Sequence, residues 1–343
     1  MFSQLIGNER VKASLAQLLK NGRVPNSLLF AGPDGVGKKR FAFELARALV
    51  CKSLEERPCG KCSACDRVRP FTPAPSDKKD DYKKVFFDQH PDVGVIVPFN
   101  RNLLVDTIRA FEKEAHFQPF EAEARVFILN DAEKMNDEAS NALLKTLEEP
   151  APTTFIILIT SRPDALLSTI RSRCQTIRFA PVPHAELAEI LEEKRSMNSG
   201  DAKLSARIAN GSVGNAMSID LDRYRSMRAI QMDAVEKAFI KGDRPALLRI
   251  SEQLNDAKNK DFYEENLAIL ESIIRDMWLI DSGGQDDQVR NLDEIERLRS
   301  LAIQVTVNDL ECALREIESL RQLLAVNINR KIATDALFMK IGA

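Results

Sequence analysis

The chain has 343 residues, of which 49 are basic and 51 acidic, giving a formal net charge of −2. This length predicts roughly two to three domains with ample material for a core. The near balance of charge excludes a global basic field, so any contact with nucleic acid must be local. No segment approaches the ~18–20 apolar residues of a membrane span, and the first residues lack the apolar core of a secretory signal. We therefore expect a soluble, cytoplasmic protein without membrane contacts.

A phosphate-binding loop follows the first predicted strand. Residues 32–39 read GPDGVGKK, a G-x-x-x-x-G-K pattern in which Lys39 replaces the usual Ser or Thr. A buried strand is predicted before the loop at 27–31 and a helix after it at 40–50, and this context favours the motif over an ordinary glycine turn. An ammonium cannot coordinate Mg²⁺, so the loop is suited to holding a nucleotide and poorly suited to hydrolysing one. The predicted phosphate ligands are Gly32, Gly35, Gly37, Lys38 and Lys39.

Four cysteines that are close in sequence indicate a metal site. They form a C-x7-C-x2-C-x2-C pattern within residues 51–65, and thiolates at this spacing can surround one Zn²⁺ tetrahedrally. No coordination position would stay open, so the zinc should be structural; a redox or accidental cluster is the alternative. Cys174 and Cys312 are interpreted as ordinary small apolar residues. The predicted zinc ligands are Cys51, Cys59, Cys62 and Cys65.

Strands and helices alternate as far as the proline pair Pro181 and Pro183. This order predicts a parallel sheet with helices on both faces, interrupted at 69–84 by a flexible insertion rich in Pro and charge. Beyond Pro183 only helical patterns are found. The predicted strands are 27–31, 92–97, 125–130 and 154–160, and the predicted helices of this region are 40–50, 103–115 and 136–150. One late apolar stripe favours intramolecular core over a partner surface: Leu310, Leu314, Ile317, Leu320 and Leu324.

Five motifs occur together along the first 220 residues. They are the phosphate loop, the cysteine cluster, His-Pro-Asp at 90–92, NALLKTLEEP at 141–150 and Ser-Arg-Cys at 172–174. In this combination the chain resembles the bacterial DNA polymerase III clamp-loader subunits, which are AAA+ proteins.

The resemblance implies three domains and a set of partners. The domains are an α/β AAA+ P-loop domain over 1–181, a small helical lid over 182–220 and an all-α oligomerisation collar over 221–343. The implied partners are gamma/tau and delta subunits in a hetero-oligomeric ring. Through that assembly the chain would act on a sliding clamp and primed DNA in replication.

The resemblance also shows where the chain departs from an active loader ATPase. Active members carry an Asp-Glu pair after the strand that here ends at Leu129, whereas this chain has Asn130 and Asp131. Asn130 supplies an amide where the metal needs a full charge, and Asp131 is one methylene shorter than glutamate. Thr160 matches the first sensor, and Gly214 stands where the second sensor places an arginine. The resemblance therefore implies a degenerate site at which ATP or ADP could be held without turnover, and a branch of the family that does not hydrolyse ATP.

The Ser-Arg-Cys motif is intact. The resemblance makes Arg173 an arginine finger that acts in trans on the ATP site of a neighbouring subunit, a role suited to a planar and permanently charged guanidinium. Spacing alone favours the interpretation that Arg171, Arg173 and Arg178 simply solvate a surface, and the resemblance reverses that preference. We therefore predict a catalytically silent assembly subunit.

Two other functions stay open. The first is an active gamma/tau-like ATPase in which Lys38 binds ATP and Asp131 assists hydrolysis. The second is a DNA-binding adaptor in which the cysteine segment 51–65, called the zinc module below, and the basic residues around it bind DNA phosphate. The acidic residues Glu55, Glu56 and Asp66 favour ordinary solvation of that surface. No residue is predicted to carry out nucleotidyl transfer. The basic residues of the module are Arg47, Lys52, Arg57, Lys61 and Arg67.

Overall fold

The computed structural model describes residue 2 and residues 4–53, 56–256, 259, 262–325 and 329–341. Glu55 of the zinc module therefore lies outside the described residues. The chain divides into two compact units, one of Met1–Leu187 with Asn210–Asn215 and one of Ala188–Ala209 with Ala216–Ala343. Within the described ranges, no helix combines the length and the apolar character needed to cross a bilayer.

The first unit is built on a six-stranded sheet with the order β2-β3-β4-β5-β1-β6. Strand β2 is antiparallel to β3, and the other neighbouring pairs are parallel. The strands are β1 Ser27–Ala31, β2 Phe86–Phe87, β3 Val93–Ile96, β4 Arg125–Leu129, β5 Thr154–Thr160 and β6 Gln175–Arg178. The helices are α1 Glu9–Lys20, α2 Lys38–Leu49, α3 Ser63–Arg67, α4 Val105–Ala115, α5 Asp137–Glu148 and α6 Ser168–Arg173.

Helices cover both faces of the sheet, which explains why its central strands are continuous apolar runs. Alternate side chains of β1 enter different cores: Phe30 packs with the α2 residue Phe41, whereas Leu29 lies in the core that contains Phe111 of α4 and Leu143 of α5. All five residues of β4 are buried. The predicted parallel α/β sheet is confirmed, and the carboxyl ends of β1, β4 and β5 carry the predicted nucleotide residues.

The predicted strands at 27–31 and 154–160 have the bounds that the structure gives, while those at 92–97 and 125–130 are slightly shorter. The helix expected at 40–50 begins two residues earlier because Gly37, with φ of +99°, ends the loop immediately before it. The pattern of apolar residues in the sequence did not indicate α1, β2 or β6. Strand β6 is an edge strand in which only Ile177 is buried, so it lacks the apolar run that identified the others.

The insertion at 69–84 is irregular apart from a 3₁₀ turn at Lys79–Tyr82. It contacts the first unit at two points near its start. The Phe71 ring packs edge-on against Phe43 with centroids 5.9 Å apart, and Thr72 Oγ1 accepts a hydrogen bond of 2.9 Å from Lys39 Nζ. The flexibility of this segment stays a prediction.

Among the described residues after β6 there is no strand, as predicted, and helices α7 to α15 follow. The apolar stripe of α14 is confirmed as core, because Leu310, Ile317 and Leu320 are buried and Leu314 and Leu324 pack against them. The domain boundaries at 181 and 220 stay predictions. The helices are α7 His184–Arg195, α8 Ser199–Ile208, α9 Val213–Ser218, α10 Leu221–Glu236, α11 Arg244–Asn255, α12 Tyr263–Asp281, α13 Ile295–Ala302, α14 Val307–Ala325 and α15 Arg330–Ile341.

A buried carboxylate anchors the segment between α12 and α13. Asp276, fully buried in α12, accepts hydrogen bonds from the backbone N–H of Arg290 (3.0 Å) and from the backbone and side-chain nitrogens of Asn291 (both 2.8 Å). Asn291 in turn accepts from the Tyr224 hydroxyl at 2.9 Å. Because both Asn291 donors are buried, water cannot replace their carboxylate partner without rearrangement.

We expect Asp276→Ala to lower the free energy of unfolding of the second unit by about 3 kcal/mol, since two buried donors of Asn291 and the half-buried N–H of Arg290 lose their acceptor. The matched change Asp281→Ala, at the exposed end of the same helix, should cost less than about 0.5 kcal/mol. The single tryptophan of the chain, Trp278, lies in α12, so its fluorescence during urea unfolding reports on this unit. Equal effects of the two substitutions would contradict the anchoring role of Asp276.

Candidate functional site

The phosphate loop connects β1 to α2, and its lysine is turned back onto the loop. Lys38 Nζ donates to the carbonyl oxygens of Gly32 and Pro33 at 2.5 and 2.6 Å and lies 3.8 Å from Asp34 Oδ1. The side chain is only 6% exposed. Burial lowers the pKa of Lys38, and nearby Asp34, Glu133 and Asp131 oppose this shift. The ammonium that would meet a nucleotide phosphate is therefore already satisfied by groups of the protein.

The segment from Gly211 to Gly214 packs directly on the phosphate loop. The backbone N–H of Gly214 donates to the carbonyl oxygen of Gly35 at 3.0 Å. Gly35 has φ of +73°, and a Cβ added to it would lie 1.9 Å from Ser212 Oγ, so only glycine fits this approach. The predicted second-sensor position is thus brought to the loop, but Gly214 offers a backbone N–H there and no guanidinium.

The two residues after β4 each have partners within the protein. Asp131 adopts a left-handed conformation with φ of +50°, and its carboxylate accepts from Lys134 Nζ at 2.9 Å. Asn130 continues the sheet, donating its backbone N–H to the carbonyl of Ile96 at 2.9 Å. The charge of Asp131 is therefore compensated locally by Lys134.

A carboxylate that the motif analysis did not single out lies beside the first-sensor position. Glu133 Oε1 accepts hydrogen bonds from the hydroxyl and the backbone N–H of Ser161, at 2.6 and 3.2 Å. Burial alone raises the pKa of Glu133, but hydrogen bonds from Ser161 and Thr160 outweigh it and lower that pKa. Its Oε2 is buried without a hydrogen-bond partner among the described residues. The sequence signal was an acidic residue in the loop after β4, two positions beyond Asp131.

Acidic side chains surround Lys38. Three carboxylates, from Asp34, Asp131 and Glu133, act electrostatically on Lys38. A triphosphate would have to displace the carbonyl partners of Lys38 while meeting those negative charges. Thr160, the first-sensor residue, is fully buried, and its Oγ1 accepts from the backbone N–H of Arg162 at 3.1 Å. Protein groups therefore supply hydrogen-bond partners for both Lys38 and Thr160.

Arg173 ends helix α6 and is one third exposed. Its Nη2 lies 2.5 Å from Glu148 Oε1, and its Nη1 donates to the carbonyl of Thr169 at 2.9 Å. The two neighbouring arginines are not equivalent to it. Arg171 pairs with Asp164 at 2.9 Å, and Arg178 is exposed with no ion pair among the residues that the structure describes.

The four predicted zinc ligands come together after helix α2. Their sulfur atoms all lie within 4.8 Å of one another, with Cys51 and Cys62 4.0 Å apart and Cys59 and Cys65 3.9 Å apart. Four sulfurs about 2.3 Å from one Zn²⁺ in a tetrahedron would be separated by about 3.8 Å, so the donors fit that ion. With four thiolates the site is closed, and the metal would have a structural role.

The thiol environments differ within this cluster. Burial opposes ionisation of Cys62, but hydrogen bonds from the backbone N–H groups of Cys65 and Lys52 lower its pKa to about 6. Burial raises the pKa of Cys65 to about 12. A bound Zn²⁺ would supply the charge that keeps all four sulfurs as thiolates.

The zinc module is tied to the sheet through Glu121. Arg67, at the end of α3, contacts Glu121 Oε1 at 2.6 Å, and His90 Nε2 lies 3.3 Å from the same oxygen. His90 is buried, and its Nδ1 accepts from the backbone N–H of Asp92 at 3.1 Å, just before β3. The His-Pro-Asp motif is thus a structural link between the module and the sheet.

Several basic side chains of the module are already paired. Arg47 contacts Glu44 at 3.0 Å, and Arg57 contacts Glu123 at 3.5 Å. These pairs, with that of Arg67, reduce the positive charge available for DNA. Outside the module, Cys174 is buried, whereas Cys312 lies on α14 and is exposed.

A phosphate loop at the carboxyl edge of a mostly parallel sheet, between a strand and a helix, defines a P-loop protein. Family profiles give the narrower assignment. The profile described as DNA polymerase III, delta subunit matches residues 7–74 and 70–183, and the profile for the C terminal part of the DNA polymerase III delta subunit matches residues 228–341. The chain belongs to the DNA polymerase III delta subunit family.

Curated relatives agree with this assignment. The DNA polymerase III subunit delta′ of Escherichia coli (strain K12) is 29% identical over 326 residues, which covers 93% of this chain and 90% of that protein. The delta′ subunit of Bacillus subtilis (strain 168) is 27% identical over 322 residues, covering 93% and 92%. The gamma/tau subunit of Mycobacterium tuberculosis (strain ATCC 25618 / H37Rv) is 34% identical over 198 residues, but this covers 56% of the chain and 32% of that protein. The resemblance to DNA polymerase III clamp-loader subunits is confirmed.

Proposed function

We propose that this chain is a non-hydrolysing, delta-prime-type subunit of a DNA polymerase III clamp loader. In the cell it would join gamma/tau and delta subunits in a ring and help to place the sliding clamp on primed DNA. Two relatives that match it over at least 90% of both chains carry the name of subunit delta′. The proposal is carried by two features that occur together in the chain. Arg173 is intact and partly exposed, and Lys38 of the phosphate loop is hydrogen-bonded to its own loop.

The geometry suggests a division of labour between two subunits. Arg173 would enter the neighbour's ATP site, where a guanidinium stabilises charge as it develops on the transferred phosphoryl group. The chain's own loop would serve as a rigid part of the ring, because the contacts of Lys38, Ser212 and Gly214 replace those of a nucleotide. Zinc would stiffen the adjoining module, and no Mg²⁺ would be needed.

One observation favours a second candidate, an atypical ATPase. Glu133 is half-buried, its buried Oε2 has no hydrogen-bond partner among the described residues, and its carboxylate acts electrostatically on Lys38. If the loop opened, Glu133 could polarise a water in place of the missing glutamate at position 131. The unfavourable feature is that Lys38 and Asp131 would first have to leave their present partners.

The experiment is a loader reconstituted from this chain and its gamma/tau and delta partners, assayed for clamp- and DNA-stimulated ATP hydrolysis. Lys38→Met, which removes the ammonium and keeps a stem of similar length, should leave the rate within about twofold of wild type because the loop binds no catalytic nucleotide. The isolated chain should show no turnover with Mg²⁺ and ATP. Sedimentation would verify that wild-type and variant rings assemble equally.

Two results would contradict the proposal. If the isolated chain hydrolyses ATP and both Lys38→Met and Glu133→Gln abolish the reaction, the atypical ATPase is correct. If the chain fails to enter a ring with gamma/tau and delta, the subunit assignment itself is wrong. Salt-sensitive binding of primed DNA by the isolated chain would instead favour the adaptor function.

A further inference from the structure

The guanidinium of Arg173 is held within its own subunit by a residue from a different helix. Its Nη2 contacts Glu148 Oε1 at 2.5 Å, and its Nη1 donates to the carbonyl of Thr169 one turn earlier in α6. Nothing in the family comparison or in the motif analysis gave Glu148 a role. We propose that Glu148 is a positioning residue that fixes the orientation of Arg173, an inference that rests on the proposed function of Arg173 as a finger.

Helix α6 needs such support because it is short and is packed on one side only. It has six residues, and its sole fully buried side chain is Ile170. Along another side, Ser168 and Arg171 line a cavity of about 520 Å³ whose floor includes Leu29 and Ala31 of β1. A long, flexible arginine at the end of this helix would sample many rotamers without an external partner.

Glu148 is on an element that can supply that support. It is the last residue of α5, a 12-residue helix capped by the side chain of Asn136 and anchored by buried Leu143 and Leu147. The next residue, Glu149, is also exposed and has no ion pair among the described residues. The two glutamates thus have the same charge and nearly the same place in the chain, but only Glu148 reaches Arg173.

The hydrogen bonds leave the finger able to act. Arginine has five N–H donors, and the contacts with Glu148 and Thr169 use one on each terminal nitrogen. The remaining donors can bind phosphate oxygens while the guanidinium stays held. An ion pair this exposed contributes little to folding stability. Its effect should therefore appear in the rate of the neighbour's reaction, since a displacement of about 1 Å can cost about a hundredfold in rate.

The test compares Glu148→Ala and Glu149→Ala in the reconstituted loader, with Arg173→Ala and the double variant Arg173→Ala/Glu148→Ala. At saturating ATP, Glu148→Ala should lower kcat at the adjoining site about tenfold, with unchanged ring assembly and little change in KM, because the finger loses its orientation. Glu149→Ala should stay within about twofold of wild type. Glu148→Gln, which keeps the acceptor oxygen, should restore most of the activity. The double variant should be no slower than Arg173→Ala alone.

The outcomes separate the two proposals. If Arg173→Ala has no effect, the finger function fails and the role of Glu148 fails with it. If Arg173→Ala is slow but Glu148→Ala matches Glu149→Ala, only the positioning role is wrong. A faster reaction with Glu148→Ala would mean that the ion pair restrains the finger, which would also overturn the proposal. Losses that add in the double variant would show that Glu148 acts independently of Arg173.

Discussion

Replacing Arg173 by alanine should abolish productive ATP hydrolysis at the one neighbouring site that it faces, with a loss on the order of 10³-fold at that site. The physical reason is that a guanidinium supplied in trans neutralises charge that appears only in the transition state. Since the side chain is one third exposed and Ile170 anchors α6, the substitution should leave the fold intact. The total steady-state rate of ATP hydrolysis would fall only by the contribution of that one site. The decisive measurement is therefore the number of ATP molecules hydrolysed per ring in a single turnover.

Two other variants sharpen this experiment. Arg173→Lys keeps the charge but lacks the planar fork, and it should restore little activity. Arg178→Ala removes an exposed arginine that has no ion pair among the described residues, and it should behave as wild type. If Arg173→Ala and Arg178→Ala reduce hydrolysis equally, the arginines contribute only general surface charge. Unchanged turnover with both variants would show that Arg173 does not act as an arginine finger.

Loss of zinc is the second change for which we expect a large effect. In Cys65→Ser the bound metal should fall from about one equivalent per chain to less than a tenth, because a hydroxyl is a poor replacement for a thiolate on Zn²⁺. Structural zinc contributes apparent binding free energies of about 10–16 kcal/mol in small metal-folded domains near pH 7. We therefore expect residues 56–67 to lose protection against hydrogen exchange, together with the contact of Arg67 with Glu121.

The chain provides a matched control for this prediction. Cys312→Ser changes an exposed cysteine outside the cluster and should alter neither the metal content nor the exchange of residues 56–67. Metal analysis by mass spectrometry and hydrogen exchange with and without a chelator measure the two quantities separately. A metal-free wild-type chain with full protection in this region would contradict a structural zinc site.

The strand bounds predicted from apolar runs agree best with the structure where a strand is buried on both faces of the sheet. The runs at 27–31 and 154–160 are almost entirely apolar, and each became a strand with those bounds. The hydrophobic pattern does not predict strand β6, because Ile177 is the one buried side chain of this edge strand and a single residue gives no periodicity. Helix α1 was missed although Val11 and Leu15 are buried on one of its faces, four residues apart.

In the candidate site, residues close together in sequence were predictable, whereas contacts between residues far apart in sequence were not. The zinc ligands could be predicted because all four lie within fifteen residues, so that local chain geometry brings their sulfurs together. Glu133 was overlooked because its importance depends on Ser161, 28 residues away in sequence. The approach of Ser212 to Gly35 spans a still longer separation. No spacing rule along the chain relates such residues.

The sequence by itself determined the class of fold, the phosphate loop with its missing metal ligand, the cysteine cluster and the intact arginine of the Ser-Arg-Cys motif. These features depend on residue type and on short spacings, which local backbone geometry translates directly into structure. The tertiary structure decided that Lys38 bonds to its own loop, that Gly214 lies on that loop and that Glu148 contacts Arg173. The bonds of Lys38 lie within one loop, whose folded conformation sets them. The contacts of Gly214 and Glu148 join elements far apart along the chain, and they exist only because the packing of the folded chain brings those elements together.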